Sequence, residues 1–178
     1  GVQFELLKAL ELCNHVINSP EAIATCASKV TTTAKLIHAG APSPDTCFTN
    51  DKRIVAEFLA AHGGKAVYKP VYGFDGNGIY LFNSVDQITE AAPYYVQEYV
   101  RNDRDYRTFV IGNKAVGAIK RESAHLTHNI HQGGSGCAVE ISPEMREAAE
   151  SAAEAVGIDY CGVDLLPLDD GGFTVLEV

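Results

Sequence analysis

Two carboxylates stand inside otherwise apolar runs near the end of the chain, Asp164 in VDLLPL and Glu177 in FTVLEV. If 162–168 and 173–178 form a hairpin turning at Asp170-Gly171, antiparallel pairing sets Asp164 opposite Glu177 on one face. Carboxylates that close repel unless a cation lies between them, and oxygen ligands suit magnesium. A turn at Gly171-Gly172 shifts the register, and a solvated sheet edge is then the other account. A second constellation lies in KAVYKPVYGFDGNGIYLF, residues 65–82, where Lys69 precedes Gly73, Gly76 and Gly78. Glycines free the backbone to wrap phosphate oxygens with N–H groups, and a lysine adds a point charge. Neither the Gly-Lys-Ser/Thr ending nor the dinucleotide spacing is present, so a surface hairpin without a ligand stays open.

A third group is cationic. Asp105 and Arg107 share a strand face, with Lys120 and Arg121 on the hairpin partner. Such a cluster can hold an anionic acceptor or a transferring phosphoryl group, while surface salt bridging is the bland alternative. Asn129, Gly133 and Gly134 offer an amide and backbone donors, and Asp103-Arg104 reads as a charged bend. His125, His128 and His131 recur every third residue, but Thr127, Asn129 and the following glycines favour a loop over a helical metal stripe.

These residues need elements to carry them. Phe4, Leu6, Leu7, Leu10 and Leu12 predict a helix, and Val16-Ile17 a short strand. Ser19-Pro20-Glu21 supplies a cap, a first-turn proline and an acid against the helix dipole. A helix over about 29–39 stops at Gly40, before the stiff connector Ala41-Pro42-Ser43-Pro44. Another, over about 51–61, sets Ile54, Phe58 and Ala61 on one side and ends at Gly63-Gly64. Strands at 66–68 and 79–82 flank the glycine loop, and Ser84 with Gln87 forms a capping box. Tyr94-Tyr95-Val96 leads into Gln97-Glu98-Tyr99-Val100. A hairpin follows, 106–111 against 115–119 around Gly112-Asn113, and then an irregular polar stretch over 122–138. Ser142-Pro143-Glu144 opens a helix to about Val156, and the terminal hairpin closes the chain. Helices alternating with antiparallel hairpins predict an α+β protein.

The chain has 178 residues, 46% hydrophobic and 21% charged, ordinary for a globular protein with a real core. A formal net charge of -9 argues against a nucleic-acid surface, though a small anion can still meet a local basic site. No run reaches membrane-spanning length and no signal-peptide pattern opens the chain. Cys13, Cys26, Cys47, Cys137 and Cys161 include no Cys-x-x-Cys pair, so they read as free, mostly buried thiols in a reducing, cytoplasmic compartment.

In order along the chain, NSPEAIATCASKVTTTAKLIHAGAPSP, VYKPVYGFDGNGIYLF, VQEYV, RDYRTFVIGNKAVGAIKR, NIHQGG, GIDYCGVDLL and LEV resemble the ATP-grasp enzymes, specifically the RimK-like glutamate ligases. The resemblance implies two α+β lobes whose antiparallel sheets enclose the nucleotide. It implies residues 1–18 as the tail of a preceding domain and 19–178 as the ATP-grasp domain, with a glycine-loop lobe over about 45–96 and a C-terminal lobe over about 97–178. By the same resemblance, Lys29 and Lys69 contact ATP phosphates, and Gly73, Gly76 and Gly78 close over them. Gln97, Glu98 and Val100 form the adenine hinge, and Asp105 lies near the ribose or the acceptor. Arg107, Arg121 and Asn129 hold the acyl phosphate and the acceptor. Magnesium, or manganese in its place, falls to Asp164 and Glu177, with the family's third ligand, an asparagine, expected at position 179, past Val178. Both ends are therefore expected to be truncated.

The implied reaction is ATP-dependent amide formation through an acyl phosphate. It releases ADP and phosphate and adds an amino acid, L-glutamate foremost, to a carboxylate-bearing coenzyme, peptide or protein, a coenzyme such as tetrahydromethanopterin being favoured. Other ATP-grasp peptide or glutathione-type synthetases and a non-catalytic nucleotide-binding module are the alternatives. Neither nucleic acid nor membrane is an expected partner, and self-association stays open.

Overall fold

The computed structural model describes residues 2–71, 77–122 and 135–178. Gly73, Gly76, Asn129, the three closely spaced histidines, Gly133 and Gly134 lie outside the described residues. Helices α1 (Val2–Glu11), α2 (Pro20–Cys26) and α3 (Lys29–Ala39) come first. Ser19 Oγ accepts the Ala22 amide at 3.1 Å, and Ser28 Oγ accepts that of Thr31 at 3.3 Å, so each helix starts where a side chain satisfies an orphan donor. Gly40 ends α3 at φ +71°, a left-handed cap that costs glycine least. Val16-Ile17 forms no strand, and Ile17 is exposed. The neighbouring backbone of Tyr160 is instead met by the Asn18 side chain, which donates to its carbonyl at 2.7 Å and accepts its N–H at 2.8 Å.

Strands β1 (Thr46–Thr49), β2 (Ala66–Lys69), β3 (Tyr80–Phe82) and β4 (Tyr94–Glu98) make an antiparallel sheet in the order β1-β4-β2-β3. Helix α4 (Lys52–Ala61) covers one face, burying Val55 and Leu59 with Ala66, Tyr68, Phe82, Ile88 and Val96. Phe58 packs half-buried beside them, while Ile54, 46% exposed, and Ala61 turn outward, so only part of the expected stripe faces the sheet. A one-residue rotation of about 100° is enough to carry Ile54 outward as Val55 turns in. The Ser84–Gln87 capping box forms around a single 3-10 turn, Val85–Gln87.

The second sheet is antiparallel with five strands, β5 (Arg104–Ile111), β6 (Lys114–Glu122), β7 (Ser135–Val139), β8 (Tyr160–Pro167) and β9 (Phe173–Glu177), in the order β7-β6-β5-β8-β9. Residues 135–139 pair with β6 where an irregular stretch was expected; the β6 edge supplies the partner that a weak strand sequence needs. Helix α5 (Pro143–Val156) packs across the sheet, and its buried face joins Val110, Val163, Leu165 and Val175. Ala22 of α2 and Leu36 of α3 belong to this same core, although they precede the smaller sheet in sequence. Two sheets with two separate cores make the chain α+β. All five cysteines are unpaired, but only Cys161 is buried, and Cys13 and Cys137 are exposed. The expectation of mostly buried thiols is therefore corrected: Cys13 follows an α1 that buries no residue, and Cys137 lies on an edge strand.

Ala149, Ala152 and Ala153 are fully buried, so α5 lies close against the sheet without room for branched side chains. Ala152→Leu is expected to cost about 1–3 kcal/mol by overpacking, read as a lower urea midpoint. An unchanged midpoint would show slack at that interface.

Candidate functional site

Strand alternation divides the larger sheet into two faces. Tyr106, Val163, Leu165 and Val175 face the α5 core, while Asp105, Arg107, Arg121, Asp164 and Glu177 occupy the other side. Lys120, one residue from Arg121, falls opposite Tyr106 on the first face and pairs with Glu122 at 3.0 Å. It is therefore removed from the expected cationic group.

Asp164 does stand opposite Glu177, by a different route from the one expected. The pairs Leu165–Val175, Leu166–Thr174 and Pro167–Phe173 centre the hairpin on Asp170, which alone would misalign the carboxylates. An irregularity between Asp164 and Leu165 makes Leu176 the extra residue and restores the juxtaposition.

Arginines bind the Asp164 carboxylate. Arg107 Nε donates to Oδ1 at 2.7 Å and its terminal nitrogen to Oδ2 at 2.8 Å, a planar fork on a planar acceptor. Arg121 donates two bonds to Asp105, at 2.6 and 2.7 Å, and reaches Asp164 Oδ2 at 3.0 Å. Burial works to lower the Arg121 pKa, but Asp105 and Asp164 outweigh it and hold the group above its ordinary value. Arg121 is 3% exposed and the Arg107 side chain 39%, so the first is enclosed and the second can meet a ligand. Gly162 makes this arrangement fit, because a Cβ there would lie 2.9 Å from Arg107 Cδ.

Lys69, at the end of β2, faces this group from the smaller sheet. Burial pushes its ammonium down to about 8, Glu177 and Asp164 work to raise it, and Lys29 to lower it. Lys29 is the first residue of α3 and half-buried. Two lysines and two carboxylates from four separate elements therefore share one electrostatic neighbourhood. Gly78 returns the chain to β3 at φ +74°, with Pro70 Cγ 3.3 Å from where a Cβ would stand.

The predicted hinge residues divide between faces. Gln97 lies on the Lys69 side, buried, with its amide donating to Thr46 Oγ1 at 3.0 Å. The Val100 carbonyl accepts from the Asn102 amide at 2.9 Å. Glu98 alternates to the opposite face, where it accepts the Asp45 N–H at 3.1 Å. There His62 directs Nδ1 at the Phe58 carbonyl, 2.8 Å, and Nε2 at Asp45 Oδ2, 3.1 Å. Both ring nitrogens meet oxygen acceptors, which favours the imidazolium. The Phe58 carbonyl and then Asp45 raise its pKa, and the cluster is complete as an ion pair.

Two residues absent from the expected set also belong here. Tyr95, directly across from Lys69, is 2% exposed, and its hydroxyl lies 2.7 Å from Thr33 Oγ1. Burial raises the Tyr95 pKa, and Glu177 is among the charges acting on it. Only the dense Tyr94-Tyr95 run hinted at this, and nothing in the sequence joins it to Thr33.

The donors fit a hard divalent cation. Among the described residues Asp164 Oδ1 accepts one bond, which leaves it a lone pair, and Glu177 is exposed beside it.

A family described as the RimK-like ATP-grasp domain matches residues 26–178. The tetrahydromethanopterin:alpha-L-glutamate ligase of Methanosarcina acetivorans is 36% identical over 188 residues, 92% of this chain and 57% of that protein. A probable alpha-L-glutamate ligase of Saccharophagus degradans is 33% identical, over 99% of this chain and 61% of its own length. The solved structure of the ATP-grasp ligase PsnB with a phosphomimetic variant of minimal precursor, Mg and ADP superposes with a TM-score of 0.77 at 30% identity, over 99% of this chain and 57% of that one. The chain thus spans about 57–61% of the length of the curated relatives it matches.

Proposed function

Because the chain belongs to the RimK-like ATP-grasp family, we propose that it forms the nucleotide-binding part of an ATP-dependent carboxylate–amine ligase. The observation that carries this reading is the convergence of Lys29, Lys69, Asp164 and Glu177 on one place. In the reaction, a carboxylate oxygen of the acceptor attacks the γ-phosphorus of ATP and ADP leaves. The amine of the incoming amino acid then attacks the acyl carbon, losing a proton as phosphate departs and an amide forms. L-Glutamate is the proposed amino acid and a carboxylate-bearing coenzyme, peptide or protein the acceptor. The Methanosarcina relative's name supports a coenzyme, and the PsnB complex with its precursor supports a peptide.

The roles follow from exposure and charge. Lys29 and Lys69 neutralise phosphate oxygens, with the loop containing Gly73, Gly76 and Gly78 covering them. Asp164 and Glu177 would hold magnesium, which when bound supplies charge neutralisation for phosphoryl transfer. Arg107, the accessible arginine, and Asn129 take the acyl phosphate and acceptor. Arg121, enclosed by two carboxylates, positions Asp164. Gln97 and the backbone at Glu98 and Val100 receive the base, and Asp105 fixes Arg121. Residues 1–18 precede a domain over 19–178 with lobes over about 45–96 and 97–178.

The test is phosphate release by the full protein that contains this chain, given magnesium-ATP, L-glutamate and carboxylate-bearing candidates. Release is expected only when amino acid and acceptor are both present. ATP binding without release from any acceptor would instead identify a nucleotide-binding module.

A further inference from the structure

Lys29 and Lys69 belong to different cores. Helix α3, which begins with Lys29, buries Leu36 among residues of α5 and the five-stranded sheet. Strands β2 and β4 bury Ala66, Tyr68, Tyr94 and Val96 with α4. The separation of the two ammonium groups therefore depends on how one core is fixed against the other.

Thr33 lies four residues after Lys29, on the same side of α3 one turn along. Tyr95 is the direct partner of Lys69 across the β2–β4 ladder. Residues so paired have their Cβ atoms about 4.5–5.5 Å apart on one face. The 2.7 Å bond between the Thr33 and Tyr95 hydroxyls thus joins the support of one lysine to the support of the other. Both residues are buried, so water competes little for the bond. The Thr46 hydroxyl, on β1, also interacts with the phenol.

The geometry points to Tyr95 and Thr33 as positioning residues: their hydroxyl–hydroxyl bond sets the spacing of Lys29 and Lys69 to the span of a nucleoside triphosphate's phosphates. This rests on the proposal that those lysines bind phosphate. A bond that only stabilised the fold would affect every ligand alike. One that sets the spacing affects triphosphate and leaves the base and ribose alone.

The test measures ATP and adenosine affinities by calorimetry on the full protein that contains this chain. Tyr95→Phe and Thr33→Val each remove one hydroxyl without changing shape much, and Thr33→Ser keeps it. Tyr95→Phe and Thr33→Val are expected to weaken magnesium-ATP about 3- to 10-fold, the net worth of one hydrogen bond, with adenosine unchanged and Thr33→Ser close to wild type. In a Lys69→Ala background, Tyr95→Phe should add almost nothing. Unchanged ATP affinity in both hydroxyl variants, or equal losses for ATP and adenosine, would overturn the inference while leaving the nucleotide reading intact. Wild-type protein that binds no ATP, or binds it unaffected by Lys69→Ala, would overturn that reading and this inference together.

Discussion

Arg121→Ala is expected to destabilise the chain by about 3–5 kcal/mol, more than any other single change at the site. Arg121, Asp105 and Asp164 are 3%, 4% and 5% exposed, so the guanidinium and both carboxylates are withdrawn from water. Desolvation is offset by the bidentate bonds to Asp105 and the 3.0 Å contact with Asp164. Deleting the cation leaves Asp105 buried without the fork that compensates it and Asp164 with Arg107 alone. Lysine should not rescue the variant, because a point charge cannot reproduce two parallel bonds to one carboxylate. Arg107→Ala supplies the contrast. It breaks a fork of similar length, but on a side chain 39% exposed, where water replaces much of what is lost. Its stability cost should be well under half that of Arg121→Ala, while its effect on amide formation should be the larger in proportion. Urea unfolding of the two variants, with acceptor-dependent phosphate release beside it, checks both statements. Equal destabilisation would show that exposure does not separate the arginines.

Local signals in the sequence located most of the elements, because capping and turn chemistry are short-range. Ser19-Pro20-Glu21, Gly40 and Ser142-Pro143 mark helix ends that the backbone uses as written. Which face of an element turns inward is harder, since neighbours settle it. The Ile54, Phe58 and Ala61 stripe is as apolar as the Val55 and Leu59 pair, and the sheet beneath takes that pair with Phe58 while Ile54 and Ala61 stay outside. The same limit separates Lys120 from Arg121: adjacent strand residues cannot share a side, whatever their charge. The carboxylate pair was legible, although the register that produces it was not. A turn centred on Asp170, not between Asp170 and Gly171, is corrected by a bulge at Leu176 that no local residue preference announces. The Thr33–Tyr95 link, 62 residues apart, had no local signal. Both groups are unremarkable hydroxyls until the two cores meet.

Lys69→Met should make the metal-free chain more stable and nucleotide binding weaker, opposite effects with a single cause. Burial brings the Lys69 ammonium from its ordinary 10.5 down to about 8, despite the opposing pull of Glu177 and Asp164. At pH 7 the lysine is charged in both folded and unfolded chains, and the folded chain bears the cost of that buried charge. The gap corresponds to about 3 kcal/mol at 1.36 kcal/mol per pH unit, the most that a neutral side chain of similar volume could recover. The sign of the pH dependence follows. Between about 8 and 10.5 the unfolded chain holds a proton that the folded chain has lost, so wild-type stability climbs across that window. Lys69→Met lacks this rise, and its advantage should shrink toward zero by the top of the window. Magnesium-ATP affinity moves the other way, because removing a charge-assisted contact to phosphate costs about 1.5–3 kcal/mol, roughly 10- to 150-fold. Wild-type affinity should itself fall about tenfold between pH 7 and pH 9 as the free lysine deprotonates. Urea unfolding at pH 7 and pH 9.5 in the presence of a chelator, and calorimetry with magnesium-ATP, measure the two arms. A variant less stable than wild type at pH 7, with no narrowing at pH 9.5, would mean that Glu177 and Asp164 more than offset the cost of burying the ammonium. The charge would then contribute to the fold instead of being held there against it for a ligand.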